Sequence, residues 1–164
     1  MVDISDGARD GHHRADAART SWARLLRDHD RIAQHCTVLA AVALGPDRQA
    51  ENAAILLLEL AVCVADHLGV EDQVIDMTGV AIRDGVSPRQ AAAMAEQLDV
   101  LKADWTAFII RWTPEAIATG WAAFGAETAA MLPRLAIQVR RENELLYSEA
   151  LRRGVIDAGL PILH

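Results

Sequence analysis

Apolar residues recur at spacings of three and four along most of this 164-residue chain. No stretch alternates apolar and polar residues as a half-buried strand would, so the pattern predicts amphipathic α-helices. The breaks between the patterned segments are short, and successive helices should therefore lie side by side and antiparallel. We expect an all-α fold, an antiparallel up-down four-helix bundle.

Capping signals predict where these helices begin and end. Residues 87–90, Ser-Pro-Arg-Gln, combine an N-cap, a proline at the first helical position and a capping-box glutamine. The predicted helices run from Thr20 or Ser21 to about Leu44, from Pro46 or Asp47 to about Gly79, from Pro88 to about Trp112 and from Pro114 to about Arg153. We accordingly divide the chain into a flexible polar N-terminal arm (1–19), the bundle (20–153) and a C-terminal tail (154–164).

The charge balance and the apolar runs exclude several classes of protein. The chain carries 16 Lys and Arg against 23 Asp and Glu, and a net charge of −7 argues against nucleic acid as a partner. The longest apolar run, Ala53 to Ala65, contains Glu59 and is too short to cross a bilayer. Cys36 and Cys63 lie in apolar stretches, as free thiols do. These features predict a cytoplasmic protein without a membrane segment.

Six polar side chains fall within or at the edge of the apolar stripes: His29, His67, Glu71, Gln97, Gln138 and Glu142. Burying an isolated ionisable group costs several kcal/mol unless it is paired or holds a metal. The spacing also repeats, because His67 and Gln138 are each followed four residues later by a Glu. We therefore expect the six side chains to meet in the core.

These residues resemble the pattern of the hemerythrin-like (HHE cation-binding) four-helix bundles. That pattern has one His on the first helix, H-x-x-x-E on the second, one His on the third and H-x-x-x-E on the fourth. The matching stretches, within about Ser21 to Leu151, are DHD at 28–30, HLGVED at 67–72, AEQL at 95–98 and QVRRENELLY at 138–147.

The resemblance implies a non-heme di-iron centre that binds or senses dioxygen, or handles iron, nitric oxide or peroxide. His29, His67, Glu71 and Glu142 match the ligand types of the family. Gln97 and Gln138 stand where the family has His, and an amide oxygen is a poorer iron ligand than imidazole.

Two functional hypotheses follow. In the first, the six residues hold one or two iron ions, or else zinc or manganese, and the protein binds or senses a small oxidant such as dioxygen or nitric oxide, or handles iron. In the second, Gln97 and Gln138 close a metal-free hydrogen-bond network, and the bundle is a scaffold or regulatory interaction module. An enzyme is a third class, but no nucleophile or phosphate loop supports it.

The second helix has more apolar surface than one core face requires. Ile55, Leu58 and Val62 form a second stripe, which Val38, Ala41 and Val42 extend on the first helix. A helix that is apolar on two faces usually buries both. We expect a homodimer through helices one and two, with cover by the arm or the tail as the alternative.

Overall fold

The computed structural model describes residues 6–74, 76–152 and 154, with side chains for 23–69, 76–152 and 154. Over these residues the chain is all-helical and has no strand, as the sequence predicts. The helices are α1 (Asp6–Ala43), α2 (Ala50–Val74), α3 (Met77–Arg83), α4 (Pro88–Arg111), α5 (Pro114–Thr119) and α6 (Trp121–Arg152).

Both predicted cap-then-proline signals are confirmed as helix starts. The Ser87 hydroxyl accepts from the Gln90 amide, the Gln90 side chain accepts from the Ser87 amide, and Pro88 follows at the first helical position. Thr113 caps α5 in the same way, with its hydroxyl accepting from the Ala116 amide. Each cap satisfies backbone amides that the first helical turn leaves without a partner.

Three predicted boundaries are wrong. The first helix begins at Asp6 and not at Thr20 or Ser21, so α1 includes residues 6–19. They lack an apolar stripe but contain many helix-forming Ala and Arg residues. The second segment divides into α2 and α3 because Asp76 caps a new helix by accepting from the Gly79 amide. The fourth divides at Gly120, which ends α5.

The packing of α1 against its neighbours positions the site. This helix contacts α2 and α6, and α6 also contacts α3, α4 and α5. Along the α1–α2 interface, His29 meets His67 and His35 meets Glu59, so the two helices run antiparallel. Predicted core residues such as Leu25, Leu39 and Leu60 are fully buried.

The core differs in chemistry along its length. Phe124 packs against Trp112, Trp121 and Phe108, and the next residue, Gly125, lies close to the Ala43 carbonyl at the end of α1. His29 lies 14 residues earlier on α1, in a polar part of the core. The aromatic residues therefore close one end, and the candidate site lies farther along the bundle, with buried residues such as Leu25 and Leu146 beyond it.

Within the described residues one stretch of α2, Ala50–Gly69, is long and apolar enough to span a membrane by length and composition alone. The sequence prediction counted only the uninterrupted apolar run and so missed this. A third of the stretch (33%) is buried inside the protein, where its residues contribute to the hydrophobic core. The core helix of a soluble protein passes the same test.

Candidate metal site

His29 of α1, His67 of α2 and Glu142 of α6 meet in the core, and all three side chains are buried. Each occupies a position within the apolar stripe of its helix, which is why the stripe analysis placed it inward. Nε2 of His29 lies 2.9 Å from Nε2 of His67 and 3.0 Å from Oε2 of Glu142. The third side of the triangle, between Nε2 of His67 and Oε2 of Glu142, measures 3.6 Å.

These separations suit three ligands of one metal ion. Metal–nitrogen and metal–oxygen bonds of about 2.0–2.2 Å place neighbouring ligand atoms roughly 2.8–3.6 Å apart in tetrahedral or octahedral coordination. The three measured distances fall within that range. Two imidazoles and one carboxylate also form a donor set that iron(II) and zinc accept. The residues present therefore fit a divalent transition metal.

Asn143 fixes the orientation of the His29 ring. Its Oδ1 accepts a short hydrogen bond from Nδ1 of His29. A ring that donates from Nδ1 has its other nitrogen free of a proton when the imidazole is neutral, and this is the form that binds metals. In that neutral form the bond to Asn143 directs the lone pair of Nε2 toward His67 and Glu142, whereas Nε2 donates a hydrogen bond to Glu142 only when it also carries a proton. The sequence analysis gave Asn143 no role, although it directly follows Glu142.

Gln138 supports Glu142 from one helical turn away. Its Nε2 donates to Oε1 of Glu142 at 2.7 Å, which leaves Oε2 facing the two histidines. Burial raises the pKa of Glu142, but hydrogen bonds from His29, His67 and Gln138 lower it and prevail, so that the pKa is about 2. Glu142 is therefore a carboxylate at neutral pH, as a metal ligand must be.

Two cavities adjoin the cluster. An almost wholly apolar one of about 40 Å³ touches His67 and Glu142 and is walled by residues such as Leu68 and Leu98. A second, of about 200 Å³, lies among α3, α4 and α6 and reaches Gln138 and Glu142. Lys102 lines both. Both cavities are partly open, and both reach Glu142.

The structure brings together His29, His67, Gln138 and Glu142, four of the six predicted site residues. The prediction that Gln97 points toward the core is wrong. Its side chain is exposed, and its Oε1 accepts from Arg141 at 3.3 Å. Glu71 lies in α2 one turn after His67, but its side chain is outside the described residues.

Cys63, one turn before His67, is not part of the cluster. It is a buried free thiol, and burial raises its pKa. A protonated thiol is a poor metal ligand and a poor nucleophile.

Comparisons with protein-family models, with curated proteins and with solved structures found no match to this chain.

Proposed function

We propose that this protein binds one divalent transition-metal ion, iron(II) in the first place, through His29, His67 and Glu142 in a hemerythrin-like antiparallel four-helix bundle. The observation that carries the proposal is the buried triangle of two imidazole nitrogens and one carboxylate oxygen, with sides of 2.9, 3.0 and 3.6 Å. A buried group of this kind needs a cation or a complete hydrogen-bond network to offset its desolvation.

A single ion agrees better with the donor set than the pair that the family resemblance implies. Two histidines and one carboxylate leave coordination positions open, an arrangement that non-heme iron(II) proteins use. Gln97 is exposed and donates no ligand to the cluster, while Gln138 bonds to Glu142. Glu71 is the remaining residue that could bind a second ion.

The role that we propose is binding or sensing of a small oxidant, such as dioxygen or nitric oxide, at the open positions. The cavity beside His67 and Glu142 measures about 40 Å³ and is almost wholly apolar. A cavity of roughly 10–15 Å³ already holds one water molecule, so this one has room for a diatomic molecule. Its apolar wall favours an uncharged ligand.

Metal content tests the first part of the proposal. Protein purified without oxygen, and protein reconstituted with iron(II), should contain one metal per chain by mass spectrometry. His67→Ala should lose that metal, whereas His35→Ala should keep it, because His35 lies on the same interface near Glu59 and outside the cluster. Two ions per chain would indicate a di-iron site and contradict a single-ion site. No retained metal after reconstitution would contradict the proposal.

Nitric oxide tests the second part. Addition of nitric oxide to the iron(II) protein should change its electron paramagnetic resonance spectrum with a stoichiometry of one per chain. Leu98→Trp, which fills the wall of the small cavity, should weaken that response while metal content stays the same. An equal response in the variant would separate the metal site from the cavity and refute the ligand role.

A metal-free regulatory or scaffold module is the second candidate. The hydrogen bonds that link Asn143, His29, Glu142 and Gln138 favour it, since such a network can satisfy the buried groups without an ion. It predicts that neither iron(II) nor a chelator changes the thermal unfolding of the protein. The metal site predicts stabilisation by iron(II), because a ligand that binds only the folded state raises the free energy of unfolding.

A further inference from the structure

The face of α2 that points away from the core carries a continuous apolar seam. We use "seam" for five residues at alternating spacings of three and four: Ile55, Leu58, Val62, Ala65 and Gly69. All five are exposed, with fractions of 59% for Ile55, 66% for Leu58 and 53% for Val62. The spacing is that of the contact positions of a coiled coil.

The contacts that α2 makes with the core lie on its other face and do not bury this seam. Buried residues on the opposite face, among them Leu60, Val64 and His67, already join the helix to the core. Val38, 42% exposed on the neighbouring α1, widens the apolar surface on the side where His35 meets Glu59. A helix that is apolar on two faces usually buries both, and the described residues leave the seam uncovered.

The side chains of the seam become smaller along α2, and this gradient suits packing against a second copy of the seam. Ile55 and Leu58, in the N-terminal half, are bulky, whereas Ala65 and Gly69, in the C-terminal half, are small. Among the described residues, no atom lies within 4 Å of the position that a Cβ would take at Gly69. Two antiparallel seams would set bulky residues against small ones, while two parallel seams would set Ala65 and Gly69 against themselves and leave a gap.

We propose that two copies of this chain form a homodimer in which the α2 helices pack antiparallel along the seam. Glu59 and Asp66 are exposed along one border of the seam. They disfavour a lipid bilayer as the cover, because each charge near the stripe would enter hydrocarbon. The seam lies opposite His67, so this proposal does not depend on metal binding.

Oligomeric state is the first test. By sedimentation equilibrium across a micromolar concentration series, the full chain should behave as a dimer. Leu58→Glu should be monomeric, while Ile110→Glu, at a position 72% exposed on α4, should remain a dimer. Helical circular dichroism shows whether each variant folds. A monomeric wild-type chain, or a dimer that persists in folded Leu58→Glu, would overturn the proposal.

Disulfide trapping tests the direction of packing and does not require the interface to be weakened. Under copper–phenanthroline oxidation, Ile55→Cys and Gly69→Cys mixed together should form a disulfide between chains, and Ile55→Cys alone should not. Efficient self-linking of Ile55→Cys would indicate parallel helices and refute the antiparallel arrangement. Ile110→Cys controls for random collision. Flotation of the wild-type chain with phosphatidylcholine–phosphatidylglycerol vesicles would also refute the dimer as the cover of the seam.

Discussion

At the scale of single residues, neighbouring side chains orient the three candidate metal ligands. Asn143 accepts from Nδ1 of His29, and Gln138 donates to the Glu142 oxygen that faces away from the histidines. Neither contributes an atom to the triangle. Both act by orienting a residue that does, which is the usual function of the groups that surround a metal site.

We predict that Asn143→Ala weakens metal binding by about 10- to 100-fold, since the ring of His29 loses the acceptor that holds it. Asn143→Asp, which keeps an acceptor oxygen, should restore most of the affinity. Competition with a chromophoric chelator for iron(II) measures both. Asn52→Ala removes an exposed amide that bonds to Gln49 and should change nothing. Equal affinities in Asn143→Ala and wild type would remove Asn143 from the site.

Glu142 should make stability depend on pH in the metal-free protein. Its pKa is about 2 in the folded chain against an ordinary value of 4.5, so between these values the unfolded chain binds the proton first. The stabilisation is complete above pH 4.5 and is lost as the pH falls toward 2, with a total on the order of 3 kcal/mol. Urea unfolding at pH 7, 5 and 3 should show wild type losing its advantage over Glu142→Gln. A constant difference would contradict the assignment.

Sequence periodicity placed His29, His67, Gln138 and Glu142 correctly but failed for Gln97. Leu98, the next residue, lines the small cavity, so the inward face of α4 passes just beside Gln97. Periodicity defines a stripe about 100° wide, which is too coarse to decide a residue at its edge. Asn143 was missed for a related reason: it is adjacent to Glu142 but faces α1, and only the packing of α6 on α1 reveals the contact.

At the scale of elements, the buried carboxylate of Glu149 links the end of α6 to α3. Glu149 is 2% exposed, its Oε1 accepts from Arg83 of α3 and lies 2.7 Å from that guanidinium, and its Oε2 lies 3.2 Å from Arg152 as an ion pair. Arg152 also donates to the Arg83 carbonyl and lies 3.4 Å from Asp84. The α3 helix also forms one wall of the larger cavity.

Glu149→Gln should lower the free energy of unfolding by about 1–3 kcal/mol, because a neutral amide at a buried position cannot replace a carboxylate that bonds to two arginines. Glu144→Gln, exposed on the same helix, should stay within about 0.5 kcal/mol of wild type. Urea titration measures both. Adding Arg83→Ala to Glu149→Gln should cost less than the two separate effects together, since the residues share one interaction. Full additivity would show that they act independently.

The sequence predicted the elements best where a side chain caps a helix. Ser87 and Thr113 predicted the starts of α4 and α5, because the capping hydroxyl, the proline and the first helical turn lie within a few consecutive residues. The breaks at Asp76 and Gly120 were missed, since each lies inside a longer apolar pattern that continues past it. The start of α1 was missed for the opposite reason, as residues 6–19 are helical without an apolar stripe.

At the scale of the whole molecule, the two cysteines report on opening of the core. Cys36 of α1 and Cys63 of α2 are both 5% exposed in the same hydrophobic cluster. Burial raises the pKa of Cys36 to about 11 and also raises the pKa of Cys63. Both thiols are therefore protonated and shielded at pH 8, and alkylation requires the helices to separate.

We predict that iodoacetamide labels Cys36 and Cys63 at pH 8 at least about 100-fold more slowly than it labels an added Ile110→Cys thiol on the exposed side of α4. If opening separates α1 from α2, it also separates His29 from His67. Iron(II) under anaerobic conditions should then slow labelling of both native cysteines further, by about 100-fold at a concentration 100 times the dissociation constant. Mass spectrometry follows each site, and in His67→Ala the metal should have no effect. If iron(II) leaves the slow labelling of wild type unchanged, either the cysteines open without breaking the site or the site holds no metal. The metal content of the same sample decides between the two.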